Sequence, residues 1–101
     1  MFSVEIKRNT LIVHLAGELD HSAAGHMRAK LDALIDESRA RKLIFDLGEL
    51  RFMDSSGIGL ILGRYRLMSR RGGSVALSGS NARIDRIFEM AGVYQLVERL
   101  A

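Results

Sequence analysis

Hydrophobic residues follow two different periods along this chain. Near the start, residues 5–7 and 11–15 predict two short strands, and the polar residues 8–10 between them predict the turn of a β-hairpin. After residue 20 the apolar positions recur at helical spacing, which predicts three amphipathic helices. The apolar positions of these helices are Ala24, Met27, Leu31, Leu34 and Ile35, then Ile58, Ile61, Leu62, Tyr65 and Met68, then Ile84, Ile87, Phe88 and Ala91.

Short hydrophobic runs separate the predicted helices. Residues 42–47 are typical of a central strand that is buried on both faces, residues 74–78 predict another strand, and residues 96–97 a last short one. Strands that alternate with helices are joined by right-handed crossovers and lie parallel. The sequence therefore predicts an α/β fold, with a mixed, mostly parallel sheet, an N-terminal antiparallel hairpin at its edge, and helices packed on it.

Capping residues stand at the ends of the three helical segments. The N-cap candidates are Asp20 and Ser22 for the first helix, Asp54, Ser55 and Ser56 for the second, and Ser80 and Asn81 for the third. Gly72 and Gly73 end the second helix, and Gly92 ends the third. Local chemistry leaves the choice between the N-cap candidates open.

Composition limits the classes of protein that need consideration. A chain of 101 residues with 48% hydrophobic content is expected to form one compact domain over residues 1–101. The absence of cysteine excludes disulfides and thiolate metal sites and suits a reducing compartment. The first residues lack the pattern of a signal peptide, and no apolar stretch has the length of a membrane span. We therefore expect a cytoplasmic protein that has no membrane partner.

The excess of positive charge is small and concentrated in one segment. The formal net charge is +3, and much of it lies in Arg64, Arg66, Arg70 and Arg71, which are interleaved with apolar residues. This pattern is typical of a solvated helix face. It does not predict a nucleic-acid partner, for which a larger basic surface is expected.

The segment between a predicted strand and a predicted helix contains three residues with a hydroxyl or carboxyl group, Asp54, Ser55 and Ser56. Functional residues in open α/β sheets concentrate at the carboxyl ends of strands. On local chemistry alone a helix cap with neighbouring turn residues is the favoured explanation. The functional alternative is that Ser55 is exposed at the helix start, where a phosphoryl group meets backbone N–H donors and the positive end of the helix dipole.

Three kinds of enzyme site are disfavoured by missing residues. The segment Gly57-Ile58-Gly59 resembles a dinucleotide fingerprint, but Leu62 occupies the position of its third glycine, and no acidic residue follows the next strand. A nucleophile elbow around Ser55 requires a glycine where Met53 stands. His14, His21 and His26 are predicted to have surface or capping roles, and the spacing of the last two does not suit a metal pair, so no metal site is expected.

Small and acidic residues near the serines have two interpretations each. Gly57 and Gly59 suit the close approach of another backbone, whereas the pair Gly59 and Gly63 is better explained by tight packing of the helix on the sheet. Glu18 and Asp20 are explained as a turn carboxylate and an N-cap, or as an acidic surface beside Ser55 that pairs with a partner's arginine.

Four segments carry a resemblance to a known family. They are residues 17–21 (GELDH), 50–59 (LRFMDSSGIG), 62–65 (LGRY) and 88–92 (FEMAG). With them the chain resembles the bacterial anti-sigma factor antagonists, whose domain is called STAS, over nearly its whole length. The resemblance implies a STAS-like sheet with helices packed on it, and the serine at a helix N-terminus. Family members commonly continue into a final helix, but this sequence stops at residues 98–101, so the C-terminal helix is expected to be short or absent.

The resemblance also implies a function. Ser55 matches the phosphorylated position and Ser56 its unmodified neighbour, and partner contacts are expected at Glu18, Asp20, Asp54, Ser56, Gly57 and Ile58. The protein is then not an enzyme and holds no cofactor, because its partner, an anti-sigma factor that is also a serine kinase, uses the ATP. The unphosphorylated antagonist binds that partner and releases the sigma factor, phosphorylation of Ser55 ends the binding, and a serine phosphatase restores it. The alternative is a STAS-type module that binds a small ligand or acts as a scaffold without a phosphorylation cycle.

Overall fold

Residues 1–100 are described by a computed structural model, in which a single five-stranded sheet carries the helices. The elements are β1 (Phe2–Lys7), β2 (Thr10–Leu19), α1 (His21–Ser38), β3 (Lys42–Met53), α2 (Ser55–Arg70), β4 (Ser74–Ser78), α3 (Ala82–Met90), a 3-10 turn (Val93–Gln95) and β5 (Glu98–Leu100). β1 is antiparallel to β2, and the other neighbouring strands are parallel. The predicted mixed, mostly parallel sheet with a hairpin at its edge is confirmed. None of the helices within residues 1–100 is long and apolar enough to cross a membrane.

The strands lie in the sheet in the same order as in the chain, from β1 to β5. Right-handed crossovers that all advance in one direction place their helices on the same face of the sheet. The alternation of burial in β3 agrees with this, because Leu43, Phe45 and Leu47 are fully buried, whereas Ile44 and Asp46, which alternate with them, remain partly exposed. The prediction that residues 42–47 are buried on both faces is therefore wrong. We call the face without helices the open face.

β2 and β3 are both longer than predicted. β2 continues to Leu19 and β3 to Met53, so only Asp54 separates β3 from α2. The pairing between them shifts register twice, which allows the strands to pass Gly17 and Gly48 without ending. The predicted strand ends at residues 15 and 47 are therefore wrong, because Gly17 and Gly48 lie at irregular positions of a continuous ladder.

Arg64 is one of the arginines that were predicted to lie on a solvated helix face, and for Arg64 that prediction is wrong. Its side chain is buried, and its Nε lies 2.9 Å from Asp32 Oδ1 on α1, without the alignment of a hydrogen bond. Burial lowers the pKa of Arg64, and the charge of Asp32 opposes that effect. Arg71 is also engaged, since its Nη1 donates to the Ile35 carbonyl at 3.0 Å, whereas Arg66 and Arg70 are exposed as predicted.

The glycines of α2 differ in their surroundings. A Cβ atom at Gly57 would overlap the Met53 side chain, so the fold itself requires a glycine there. A Cβ atom at Gly59 or Gly63 would meet no atom within 4 Å. The prediction that Gly59 and Gly63 pack tightly on the sheet is therefore wrong, because they lie on the side of α2 that faces away from it. Ile61 is fully buried, which confirms its predicted place in the core.

The C-terminal segment follows a different path from the predicted one. Leu96 is exposed and lies after the 3-10 turn, and the last strand is β5 at 98–100 rather than at 96–97. Arg99 of β5 reaches α3, where its Nη2 lies 3.2 Å from Asp85 and 2.9 Å from Glu89. Its guanidinium also lies 4.2 Å from the centre of the Tyr94 ring, a cation–π contact. These contacts hold β5 against α3, in addition to the pairing of β5 with β4.

Candidate functional site

The carboxyl ends of β2 and β3 meet where α1 and α2 begin. Glu18 pairs with Phe52, and Leu19 pairs with Met53, in the last register positions of the two strands. The Asp54 N–H donates to the Leu19 carbonyl at 3.3 Å and holds the two strand ends together. The expected proximity of the segment around Glu18 and Asp20 to the Ser55 segment is confirmed. We call this region the serine edge.

Two aspartates cap the helices at the serine edge. Asp20 accepts a hydrogen bond from the Ala23 N–H at 2.9 Å, and Asp54 accepts one from the Ser56 N–H at 2.8 Å. Of the candidates left open by the sequence, Asp20 and Asp54 are thus the caps, and Asn81 caps α3 in the same way. Because Asp54 caps α2, the hydroxyl of Ser55 has no capping role.

Ser55 is the first residue of α2 and is exposed. The N-terminus of a helix carries a partial positive charge, which favours a negative group at this position. Ser56 differs from Ser55, because it is partly buried and its Oγ lies 3.5 Å from Nδ1 of His21, the first residue of α1. The two adjacent serines therefore have different access to a modifying enzyme, with Ser55 the more accessible.

The remaining predicted contact residues are arranged around Ser55 with different exposures. Ile58 is partly exposed one turn into α2, as expected for an apolar contact, whereas Gly57 is buried. Glu18 is exposed but belongs to β2 rather than to a turn, which corrects the earlier expectation. Among residues 1–100 no hydrogen bond or ion pair engages the Glu18 carboxylate.

Phe52 is a residue of the serine edge that the sequence analysis missed. Its side chain is 45% exposed, although it lies in the central strand next to the buried Met53. Simple alternation does not place it, because the register shifts interrupt the alternation of burial in β3 after Leu47, and the next buried residues, Leu50 and Met53, are three apart. Because the strand was predicted to end at residue 47, Phe52 was not considered as a strand residue.

A separate polar cluster lies on the open face, where His14 of β2 is held between two carboxylates. Its Nδ1 lies 2.7 Å from Asp46 Oδ2, and its Nε2 lies 2.7 Å from Glu5 Oε1. The hydrogen bond to Glu5, followed by that to Asp46, raises the pKa of His14. The pKa of Glu5 is lowered mainly by the bond to His14, and the pKa of Asp46 mainly by the Gly48 N–H. This cluster joins β1, β2 and β3.

Metal chemistry finds no support within residues 1–100. The groups of histidine and carboxylate side chains there do not include three that are close enough to hold one ion. The chemistry available at the serine edge is that of a hydroxyl group beside acidic and apolar surface residues.

Comparisons with known proteins point to one family. Residues 1–100 match the model of the STAS domain. The anti-sigma F factor antagonist of Paenibacillus polymyxa is 38% identical over 94 residues, which cover 93% of this chain and 80% of that protein.

Solved structures are similar as well. The structure of the anti-sigma factor antagonist SpoIIAA in its unphosphorylated form has a TM-score of 0.82 at 31% identity, over 100% of this chain and 88% of that one. The phosphorylated form of the Bacillus cell fate determinant SpoIIAA has a TM-score of 0.79 at 32% identity, over 100% and 92% of the two chains.

Proposed function

This chain belongs to the STAS domain family, and we propose that it is an anti-sigma factor antagonist switched by phosphorylation of Ser55. In its unphosphorylated form the protein binds a cognate anti-sigma factor and thereby releases a sigma factor. The anti-sigma factor is also the serine kinase, which uses ATP to phosphorylate Ser55, and a serine phosphatase reverses the modification. The protein acts in the cytoplasm as a binding partner rather than as an enzyme.

The observation that carries this proposal is the division of roles between Asp54 and Ser55. Asp54 makes the N-cap of α2, and Ser55 is exposed beside it. Phosphorylation of Ser55 therefore breaks no capping bond, and the helix dipole favours the added negative charge. The fold is expected to tolerate the modification.

The phosphate is expected to act on the partner instead. It adds a charge of about −1.5 to −2 at neutral pH. At the serine edge this charge joins the carboxylates of Glu18, Asp20 and Asp54, and its bulk stands where the partner approaches. A partner surface that packs closely on Ser55 is then displaced by the bulk of the phosphate.

The proposed contact surface combines polar and apolar groups. Glu18 offers an unpaired carboxylate to a partner's arginine, and Ile58 offers a partly exposed apolar side chain. Asp20, Asp54 and Ser56 lie between them at the helix starts, and the buried Gly57 contributes through the close approach of backbone.

Substitutions at Ser55 test the proposal by affinity for the purified cognate anti-sigma factor in calorimetry. Ser55→Asp places a carboxylate at the modified position and is expected to weaken binding by at least tenfold, about 1.4 kcal/mol. Ser55→Ala removes the acceptor hydroxyl without adding charge and is expected to bind persistently. Ser69→Asp is the matched control, because Ser69 is exposed at the other end of α2. Equal affinity of Ser55→Asp and the unsubstituted protein would contradict the proposal.

The alternative of a ligand-binding or scaffold module makes a different prediction. A small ligand at saturating concentration stabilises the folded state by mass action. A nucleotide that raises the melting temperature, together with undiminished anti-sigma factor binding by Ser55→Asp, would favour that alternative.

A further inference from the structure

We propose that Phe52 is an apolar anchor for the anti-sigma factor, and that Phe52 and Glu18 extend the partner surface from the start of α2 onto the open face of the sheet. This inference rests on the proposed function and adds a contact residue to it. It also gives the chemistry of the partner's contact site, which is an apolar pocket with a basic side chain at its rim.

The exposure of Phe52 is the first observation. Its side chain is 45% exposed, whereas Leu50 and Met53 on the same strand are 3% exposed. Aromatic side chains of this size supply much of the energy of cores and interfaces, because they remove a large apolar area from water. At Phe52 half of that area remains available to a partner.

The position of Phe52 relative to Ser55 is the second observation. Ser55 follows Phe52 by three positions in the chain, so their Cα atoms lie at most about 11 Å apart. A specific protein interface buries about 800 Å² on each partner, which corresponds to a patch with a radius of about 16 Å. A partner seated on Ser55 therefore covers Phe52 as well. The surface around Phe52 is continuous with the proposed contact surface at the start of α2.

Glu18 supplies the third observation. It lies directly opposite Phe52 in the β2–β3 pairing, and its exposed carboxylate makes no ion pair within residues 1–100. The side chains of directly paired residues stand on the same face of a sheet, about 5 Å apart at Cβ. One arginine of the partner would stack on the Phe52 ring and pair with the Glu18 carboxylate at the same time. Aromatic residues and arginine are the side chains most often found as interface hot spots.

Other exposed apolar side chains provide a control. Met90 is 78% exposed and ends α3. Because α3 begins at the carboxyl end of β4 and runs back across the sheet, Met90 lies at the edge opposite to Ser55. If Phe52→Ala weakens binding and Met90→Ala does not, the loss of affinity comes from the position of Phe52 and not from the loss of exposed apolar area in general.

Three variants and a control test this inference. We measure the affinity of Phe52→Ala, Phe52→Leu, Glu18→Gln and Met90→Ala for the purified cognate anti-sigma factor, with the melting temperature of each. Phe52→Ala is expected to weaken binding by about 10- to 100-fold, Phe52→Leu and Glu18→Gln by less, and Met90→Ala not at all. The melting temperatures of Glu18→Gln and Met90→Ala are expected to stay close to that of the unsubstituted protein, because these side chains are exposed. Those of Phe52→Ala and, to a smaller extent, Phe52→Leu are expected to fall by a few degrees, because about half of the Phe52 side chain is buried.

Phosphorylation kinetics add a measurement that a structural role would not reproduce. Phe52→Ala is expected to raise the KM of the kinase for this protein and to leave kcat unchanged, because Phe52 does not touch the hydroxyl that reacts. Unchanged affinity and KM for both Phe52→Ala and Glu18→Gln would overturn the inference. If Phe52→Ala lowers only the self-association of the free domain, the surface serves a second copy, and the inference is also wrong.

These outcomes are distinct from failure of the proposed function. Loss of binding by Ser55→Asp with full binding by Phe52→Ala would leave the switch intact and remove only the anchor. Full binding by Ser55→Asp would remove the switch itself, whatever the result at Phe52.

Discussion

Two glycines four residues apart on α2 have no visible role in the folded domain. Gly59 is exposed and Gly63 partly exposed, and a Cβ atom at either position would meet no atom within 4 Å. Glycine inside a helix costs about 0.5–1 kcal/mol relative to alanine. Gly59 lies near Ser55, one turn into the helix, where a partner's backbone is expected to approach, whereas Gly63 lies one turn further away. Substitutions at Gly59 and Gly63 therefore distinguish an effect on the stability of the domain from an effect on binding.

Alanine at these positions is expected to stabilise the domain in both cases and to weaken binding in only one. Gly59→Ala and Gly63→Ala each raise the free energy of unfolding by about 0.5–1 kcal/mol, measured by urea denaturation. Gly59→Ala also lowers the affinity for the anti-sigma factor, since its methyl group occupies space that the partner needs. Gly63→Ala keeps that affinity. Equal affinities of the two variants would show that Gly59 has no role in binding.

At the residue scale, the sequence did not predict those features that depend on contacts between residues distant in the chain. Asp54, Ser55 and Ser56 are all good N-caps, so local chemistry left the cap of α2 open, and only the three-dimensional structure assigns it to Asp54. Arg64 illustrates a different failure. Its charge favoured solvent, but a carboxylate from α1, which sequence periodicity cannot place, lies against it in the interior.

At the scale of elements, the existence and type of the helices and main strands were predictable, because hydrophobic periodicity records which side of an element is buried. The strand ends were not. Gly17 has a φ of +84° and breaks the apolar pattern, yet the β2–β3 ladder continues past it through a register shift. This continuation creates the serine edge, since it brings Glu18 beside Phe52 and Asp54 beside Leu19. The ends of β2 and β3, which form the serine edge, were therefore the part of the fold that hydrophobic periodicity predicted least well.

The His14 cluster links the edge strand β1 to β2 and β3, and it makes stability depend on pH. The raised pKa of His14 means that its contribution is fully present below the unfolded value of about 6.5 and is lost as pH rises through the folded value. The lowered pKa values of Glu5 and Asp46 act in the opposite sense. Their contributions are present above the unfolded values of about 4 and are lost as pH falls through the folded ones.

The substitution His14→Gln tests this linkage. The stability advantage of the unsubstituted protein over the variant is expected to be largest near about pH 5–6 and to shrink towards about pH 9. Urea midpoints at the two pH values measure it. An advantage that is the same at both values would contradict a charged His14 between the two carboxylates.

At the scale of the whole molecule, the order of the strands determines where partners are able to bind. All crossovers advance from β2 to β5, so the helices cover one face, and the carboxyl ends of the parallel strands share one edge. Ser55 and the acidic residues lie at that edge, and Phe52 lies where the edge meets the open face. The fold class was predictable from the alternation of elements, but the open face was not, because a run of apolar residues does not show how many faces are covered.

Ser55 is the proposed modified residue of a binding switch. Its role is tested by incubation of the protein with its cognate anti-sigma factor and ATP, followed by localisation of the phosphate by mass spectrometry. One phosphate is expected, on Ser55, because Ser55 is the exposed first residue of α2 and Asp54 provides the cap. A phosphate on Ser56 or on any other residue would contradict it.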